Sequence, residues 1–205
     1  MGSRWAALAL ILAGLAACTE TTTFMSTWKD PAAQPISPAG KTVAAVFVTR
    51  DISQRRAGED ALAADLTARG AHAIPSYTVM QDYGGKTDAD SAGTQLKQAG
   101  AQGVVIMRLV GKDQQVTYTP GTATPAYYGG FGPYWGYSWG TVYDPGYLRT
   151  DTLISVETLI YSLNSGKLLW ASTSRTTNPQ NVNALVKEVA DATAKEMAKQ
   201  GLLTQ

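Results

Sequence analysis

The chain has 205 residues, and its 17 Lys and Arg residues nearly balance its 16 Asp and Glu residues. Balanced charge argues against nucleic-acid binding and against polybasic attachment to a membrane, since both depend on an excess of Lys and Arg. With one Cys and one His, the chain has no internal disulfide framework, and a Cys/His zinc site is difficult to assemble.

The first 17 residues have the features of a secretory signal peptide. Arg4 gives a short positive region, and residues 5–17 form an apolar run that is too short to span a bilayer. The run ends in the sequence LAAC, which resembles the lipobox of bacterial lipoproteins. This resemblance implies cleavage before Cys18 and acylation at that residue, and several acyl chains together give stable anchoring. The alternative is an ordinary secreted protein.

Thr19, which follows the cysteine in place of an Asp, indicates the outer membrane by resemblance to the sorting rule of enteric bacteria. The chain is therefore expected in the bacterial cell envelope, at the inner leaflet of the outer membrane, facing the periplasm. Its first expected partner is the membrane, which it contacts through the N-terminal lipid.

Residues 18–40 are predicted to be the lipidated N-terminus and a flexible tether. They are rich in Thr, Pro and Ala and follow neither a helical nor a strand period. Phe24, Met25 and Trp28 are too apolar for a pure spacer, so an alternative is that residues 24–31 dock on the domain as an edge segment.

Residues 41–205 are predicted to form one α/β (α+β) domain. Continuous apolar and β-branched runs indicate buried strands, and apolar stripes followed by glycine indicate helices. The expected strands are Thr42–Val48, 71–77, 103–110, 152–163 and 167–175, and the expected helices are 53–69, 88–99 and 182–200. The order β-α-β-α-β-β-β-α predicts a single mixed β-sheet of about five strands with helices packed on it.

Residues 118–147 form an aromatic, Gly/Tyr-rich loop with seven Tyr, one Phe and two Trp among seven Gly and four Pro. The loop far exceeds the usual about two to five residues between paired strands, which favours a functional or disordered segment. Three interpretations remain open: a flap that packs on itself, a surface that binds a protein or glycan, and an aromatic membrane contact. The candidate partner-binding residues are Tyr127, Tyr128, Phe131, Tyr134, Trp135, Tyr137 and Trp139.

The sequence GYSWG places Ser138 in a G-x-S-x-G pattern, but its flanks are aromatic loop and the sole His72 lies upstream. A nucleophile elbow needs a strand before it and a helix after it, so a serine hydrolase at Ser138 is only a remote alternative. Residues 84–87 and 130–132 fall short of the phosphate-binding and dinucleotide-binding motifs. We therefore predict no enzymatic activity, no cofactor and no metal, and a structural or surface role for His72.

Several short strings together resemble a large group of uncharacterised bacterial envelope lipoproteins. They are TWKDP at 27–31, RRxxEDAL at 55–62, PSY at 75–77, GVVI at 103–106 and GKLLW at 166–170. The element order is also similar to the small α/β domains of the curli-secretion lipoprotein and of the amino-terminal part of TolB. The resemblance implies localisation and fold but no reaction. Within it, we expect Trp28 to dock the tether and Arg56 to pair with Glu59 and Asp60 on the first helix.

The sequence as a whole predicts a membrane-anchored lipoprotein that presents a non-catalytic periplasmic domain for envelope interaction or assembly. The expected partner besides the membrane is another envelope protein or peptidoglycan, and no nucleic acid is expected. The alternative is a peptidoglycan-binding or other glycan-binding lipoprotein that uses the aromatic loop.

Metabolic labelling with palmitate tests the lipidation site. We expect the wild-type chain to carry the label and Cys18→Ala to lose it, because the thiol is the acceptor of the diacylglycerol. Thr19→Ala, which keeps the cysteine, is the matched control and should remain labelled. Label retained by Cys18→Ala would contradict the prediction.

Overall fold

The computed structural model describes residues 22–80, 89–120 and 146–204, with only the backbone at 89 and 90. The strands are β1 (Thr22–Lys29), β2 (Thr42–Val48), β3 (His72–Pro75), β4 (Gly103–Thr119), β5 (Tyr147–Ser162) and β6 (Lys167–Thr177). The helices are α1 (Ile52–Ala68), α2 (Ala89–Gln98) and α3 (Val182–Lys199), and a 3-10 turn, Ser76–Thr78, follows β3.

These strands form one mixed sheet in the order β1-β6-β5-β4-β2-β3. Strand β2 is parallel to β3 and β4, and the remaining neighbours are antiparallel. The predicted fold class is confirmed, and so is the order β-α-β-α-β-β-β-α from residue 42 onward. The sheet has six strands because residues before 41 contribute one more.

The additional strand, β1, lies in the predicted flexible tether, so that prediction is wrong from Thr22 onward. The strand pairs antiparallel with β6, with Thr22 opposite Thr176 and Lys29 opposite Trp170. Phe24 packs edge-on against Trp170, with 6.0 Å between the ring centroids. The segment is ordered because β6 offers an open row of backbone hydrogen-bonding groups and a large ring to cover. The docked edge segment expected as the alternative is therefore confirmed.

Trp28 does not have the docking role that the family resemblance implies. Its side chain is 47% exposed, and it stands opposite Ala171 in the register of β1 and β6. The register of β1 and β6 shifts between Phe24 and Ser26. Phe24, opposite Ser174, and Trp28 therefore lie on opposite faces of the sheet, and Phe24 is the one on the helix-covered face. The ring that holds this segment to the domain is thus Phe24.

A strap, residues 30–41, connects the end of β1 with the start of β2. The N–H of Ile36 donates to the carbonyl of Leu202 at 2.7 Å, and the N–H of Thr204 donates to the carbonyl of Ile36 at 2.9 Å. The N–H of Gly40 donates to the carbonyl of Gly70 at 2.9 Å. The strap is therefore fixed to the C-terminal residues and to the end of α1.

Alternate residues of the central strands build two apolar layers. Val105 and Met107 of β4 belong to the core cluster beneath α1 and α3, whereas Val104 packs with Leu96 of α2 on the other face. This alternation follows from the two-residue period of a strand and explains the continuous apolar runs in the sequence. Among the described residues, no helix is both long and apolar enough to cross a membrane.

Helix α1 packs unusually closely on β2. Asp51 caps its first turn by accepting a hydrogen bond from the N–H of Gln54 at 2.9 Å. One turn later, Gly58 lies over the buried ring of Phe47, and a Cβ at this position would come within 2.5 Å of the ring Cγ. The glycine therefore serves the close approach of helix and strand.

The replacement Gly58→Ala tests this packing. Alanine has the higher helix propensity by about 1 kcal/mol, but the clash with Phe47 should dominate and lower the free energy of unfolding by about 1–3 kcal/mol. Gly93→Ala in α2, where a Cβ would meet no atom within 4 Å, is the matched control and should be neutral or stabilising. Urea unfolding measures both, and a stabilised Gly58→Ala would contradict the prediction.

Candidate functional site

Most of the sequence-predicted site residues lie outside the described part of the chain. These are Cys18, Ser138 and all seven candidate aromatic residues between Tyr127 and Trp139. The motifs at 84–87 and 130–132 also fall outside it. The lipidation site and the aromatic binding residues therefore stay predictions, but the strands that lead into the aromatic segment are described.

Strands β4 and β5 are much longer than their apolar runs predict. The sequence predicts that β4 ends at 110 and β5 begins at 152, but the two remain paired as far as Thr119 and Tyr147. The predicted loop boundary of 118–147 is therefore wrong by two residues at its start and one at its end. Both faces of the extension are exposed to solvent. Its sequence therefore lacks the apolar pattern from which strands are predicted, although its backbone is paired.

Beyond the pair Asp113–Leu153, this hairpin extends past the end of β6 as a two-stranded ribbon, residues 114–119 and 147–152, which we call the arm. Six residue pairs at strand spacing make the arm about 20 Å long. Among the described residues, no third strand pairs with either of its edges. The arm thus leaves backbone donors and acceptors open on both sides.

One face of the arm is apolar and exposed. Tyr118 stands directly opposite Leu148, and Val116 lies two residues before Tyr118 on the same strand face. These side chains are 61%, 70% and 62% exposed. Tyr147 lies on the opposite face and is 59% exposed. Exposed apolar side chains are therefore grouped on one face of the arm.

The base of the arm is held by Asn178, which follows β6. Its side-chain oxygen accepts from the N–H of Thr152 at 2.7 Å, and its own N–H donates to the Thr152 carbonyl at 2.8 Å. Its amide nitrogen donates to Asp151 at 2.6 Å. Hydrogen bonds from Asn178 and Arg149 hold the pKa of Asp151 below its ordinary value. The arm therefore leaves the sheet in a fixed direction.

The arm and the N-terminal chain lie at the same end of the sheet. Thr22 is opposite Thr176, Thr176 is opposite Ile154, and Ile154 is opposite Lys112, so one row of residues crosses four strands. Strand β1 runs antiparallel to β6 and begins in this row, so its first residue lies at the arm end of the sheet. The arm continues beyond this row.

A buried ion pair joins α1 to the 3-10 turn. Glu59 is fully buried and accepts from Arg55 Nε at 2.9 Å, Ser76 Oγ at 2.7 Å and the N–H of Tyr77 at 2.8 Å. The N–H of Phe47 also points at the carboxylate, at 3.4 Å. Both oxygens are thus engaged by groups of the fold, which is the arrangement that a buried charge requires.

The ion pair predicted for the first helix is therefore formed by a different arginine. Arg55 lies four residues before Glu59 on the buried face, whereas Arg56 points outward and stacks over the Tyr77 ring at 5.4 Å. Asp60 accepts from the Tyr77 hydroxyl at 2.8 Å, and this hydrogen bond raises the pKa of Tyr77. The predicted pairing of Arg56 with Glu59 and Asp60 is wrong because spacing along a helix does not reveal which face is buried.

His72 lies in β3 at the edge of the sheet and is exposed, in agreement with the surface role predicted for it. Within the described ranges, no group of three or more His, Cys, Asp or Glu side chains could hold a metal ion.

A cavity of about 360 Å³ lies between the sheet, α1 and α3, at the end opposite the arm. Its wall is mainly apolar and includes Val43, Leu62, Leu66, Val105, Ile160 and Met197. Residues 35–38 of the strap and the starts of β2 and β4 line its other end. Sequence reasoning missed this cavity, since its residues come from six elements and each one conforms to the pattern of an ordinary core residue.

Charged side chains lie at the rim of the cavity. Arg69 donates to Asp65 at 2.7 and 2.9 Å and to Asp191 at 2.6 Å, which ties α1 to α3 and raises the pKa of Arg69. Burial alone would raise the pKa of Asp191, but hydrogen bonds from Lys187 and Arg69 lower it. Lys41 also lines the cavity, and no acidic side chain in the described ranges pairs with it.

No protein-family model matches the chain, and no curated protein matches it significantly. Solved structures with a similar chain path include the PelC dodecamer of Paraburkholderia phytofirmans, with 12% identity, 90% of this chain and 99% of that chain covered, and a TM-score of 0.45. A variant of that dodecamer is 14% identical, with 82% of this chain and 90% of that chain covered and a TM-score of 0.41. Lipoprotein GNA1162 of Neisseria meningitidis is 14% identical, with 78% of this chain and 99% of that chain covered and a TM-score of 0.42. Likeness at this level supports no inference about function.

Removing the charge of Glu59 tests the buried ion pair. We expect Glu59→Gln to lower the free energy of unfolding by about 3–5 kcal/mol, because the buried Arg55 loses its carboxylate. The neighbouring exposed change Asp60→Asn is the matched control, with an expected loss within about 0.5 kcal/mol. Equal effects of the two replacements in chemical unfolding would show that Glu59 has no special structural role.

Proposed function

We propose that this chain is a lipid-anchored, non-catalytic envelope protein that presents the arm as an interaction surface beside the membrane. The observation that carries the proposal is the exposed apolar face of Val116, Tyr118 and Leu148, on a ribbon that extends from the same end of the sheet as the N-terminus. The proposed anchor is Cys18, in the inner leaflet of the outer membrane.

The distances along the chain support this arrangement. Cys18 precedes Thr22 by four residues, which span at most about 14 Å when fully extended. The arm reaches about 20 Å beyond the row that contains Thr22. A lipid on Cys18 would thus keep the tip of the arm and the aromatic segment that follows it within reach of the bilayer surface.

The arm has two properties of a binding surface for another protein. Its apolar face can be buried by a partner, and the backbone groups along its edges can pair with an added strand. Tyr side chains bury a large area at a low cost in conformational entropy, and they are enriched in protein interfaces. Another envelope protein is therefore the proposed partner, and peptidoglycan, on which aromatic rings can stack, is the alternative.

A non-catalytic role is supported by the chemistry of the charged groups. The Glu59 carboxylate is sealed inside the fold and satisfied by four donors, so it cannot reach a substrate. The G-x-S-x-G pattern lacks a following histidine, since the sole His72 precedes it and lies in an edge strand. A fluorophosphonate probe that labels the wild type but not Ser138→Ala would overturn this part of the proposal.

Site-specific photocrosslinking in living cells tests the arm. A photoreactive residue at 116 or 148 should form discrete adducts, whereas one at 117, on the opposite face of the ribbon, should form at least 5-fold fewer. Adducts should also fall at least 5-fold in Cys18→Ala, because the domain is then no longer held at the membrane.

The form of the adducts identifies the partner. Adducts of fixed mass that resist muramidase indicate an envelope protein, and heterogeneous adducts that collapse after muramidase indicate peptidoglycan. The absence of adducts at 116 and 148, or equal adducts at 116 and 117, would contradict the proposed role of the arm.

A further inference from the structure

The cavity between α1, α3 and the sheet has the character of a ligand site. Its volume of about 360 Å³ lies within the range of pockets for small molecules, and its wall is mainly apolar with a few polar groups. The cavity is partly open to solvent, so its apolar wall contacts water unless a ligand covers it. Removing apolar surface from water is favourable, which favours an apolar ligand.

A second, independent observation comes from Thr193 on α3. This residue lines the cavity and is only 5% exposed, and its hydroxyl has no hydrogen-bond partner among the described residues. Buried hydroxyl groups are normally satisfied, so an orphan hydroxyl at a cavity indicates a missing polar partner. A pure hydrocarbon could not provide one, which means that the expected ligand carries oxygen.

The charged residues at the rim of the cavity indicate which charge the ligand carries. Arg69 is already shared between Asp65 and Asp191, whereas Lys41 has no acidic partner in the described part of the chain. Lys41 is exposed at the rim, where its ammonium group can pair with the anionic group of a ligand. An apolar wall, an orphan hydroxyl and an unneutralised ammonium group together match a single acyl chain with a carboxylate head.

We propose that this cavity binds a fatty acid, with its chain between α1, α3 and the sheet and its carboxylate paired with Lys41 and accepting from the Thr193 hydroxyl. The strap lines the same end of the cavity through residues 35–38. The site lies at the opposite end of the sheet from the arm, so it is independent of the partner-binding surface.

The test uses the full-length chain in its own membranes and a palmitic acid analogue with a photoreactive diazirine and an alkyne. We expect saturable labelling of peptides from α1, β4 and α3 that line the cavity, and competition by excess palmitate. Ala194→Phe, which fills the cavity from α3, should reduce this labelling at least 10-fold. Ala198→Phe, one turn later on the exposed side of the same helix, should leave it unchanged.

The head group is tested by a second pair of variants. Lys41→Gln should weaken competition by palmitate several-fold while leaving competition by neutral hexadecanol unchanged. Lys112→Gln, which changes an exposed lysine at the arm end of the sheet, should alter neither. Palmitate should also raise the melting temperature of the wild type, and this measurement tests the proposal even if a variant fails to fold. Labelling confined to other segments, equal labelling of Ala194→Phe, or no rise in melting temperature would overturn the proposal.

Discussion

The antiparallel pairing of β4 with β5 is the constraint on which the rest of the structure depends. Strand β4 is parallel to β2 on one side and antiparallel to β5 on the other. It therefore joins the α/β half of the chain to the antiparallel strands β5, β6 and β1. The same ladder continues past its neighbours to form the arm. Core and arm are therefore parts of one ladder, whose register shifts once, between Leu109 and Gly111.

The first strand extends this constraint to the N-terminus. Since β1 completes the edge of the sheet and covers Trp170 with Phe24, the folded domain begins at Thr22, close in sequence to the proposed anchor Cys18. Only the few residues before Thr22 lie between the proposed lipid and the folded domain. So short a connection would restrict how far the domain can stand from the membrane, and the proposed function depends on this restriction.

The sequence allowed the folded elements from β2 onward to be predicted, because apolar runs and helix-ending glycines record burial directly. It did not allow the arm or β1 to be predicted as strands, because both are stabilised by backbone pairing and by only a few side chains. The partner of Glu59 was missed for a related reason. Arg55 and Arg56 are adjacent and chemically identical, and only the packing of α1 against β2 and β3 decides which one is buried.

The side chains of α3 explain why apolar space remains at one end of the core. Helix α3 lines the cavity with the small residues Ala190, Thr193 and Ala194. Larger apolar residues at these positions would fill the space and would stabilise the fold, because core stability increases as cavities are removed. The small residues on α3 therefore sacrifice packing. That sacrifice is understandable if a ligand, and not a side chain, completes the core at this end of the domain.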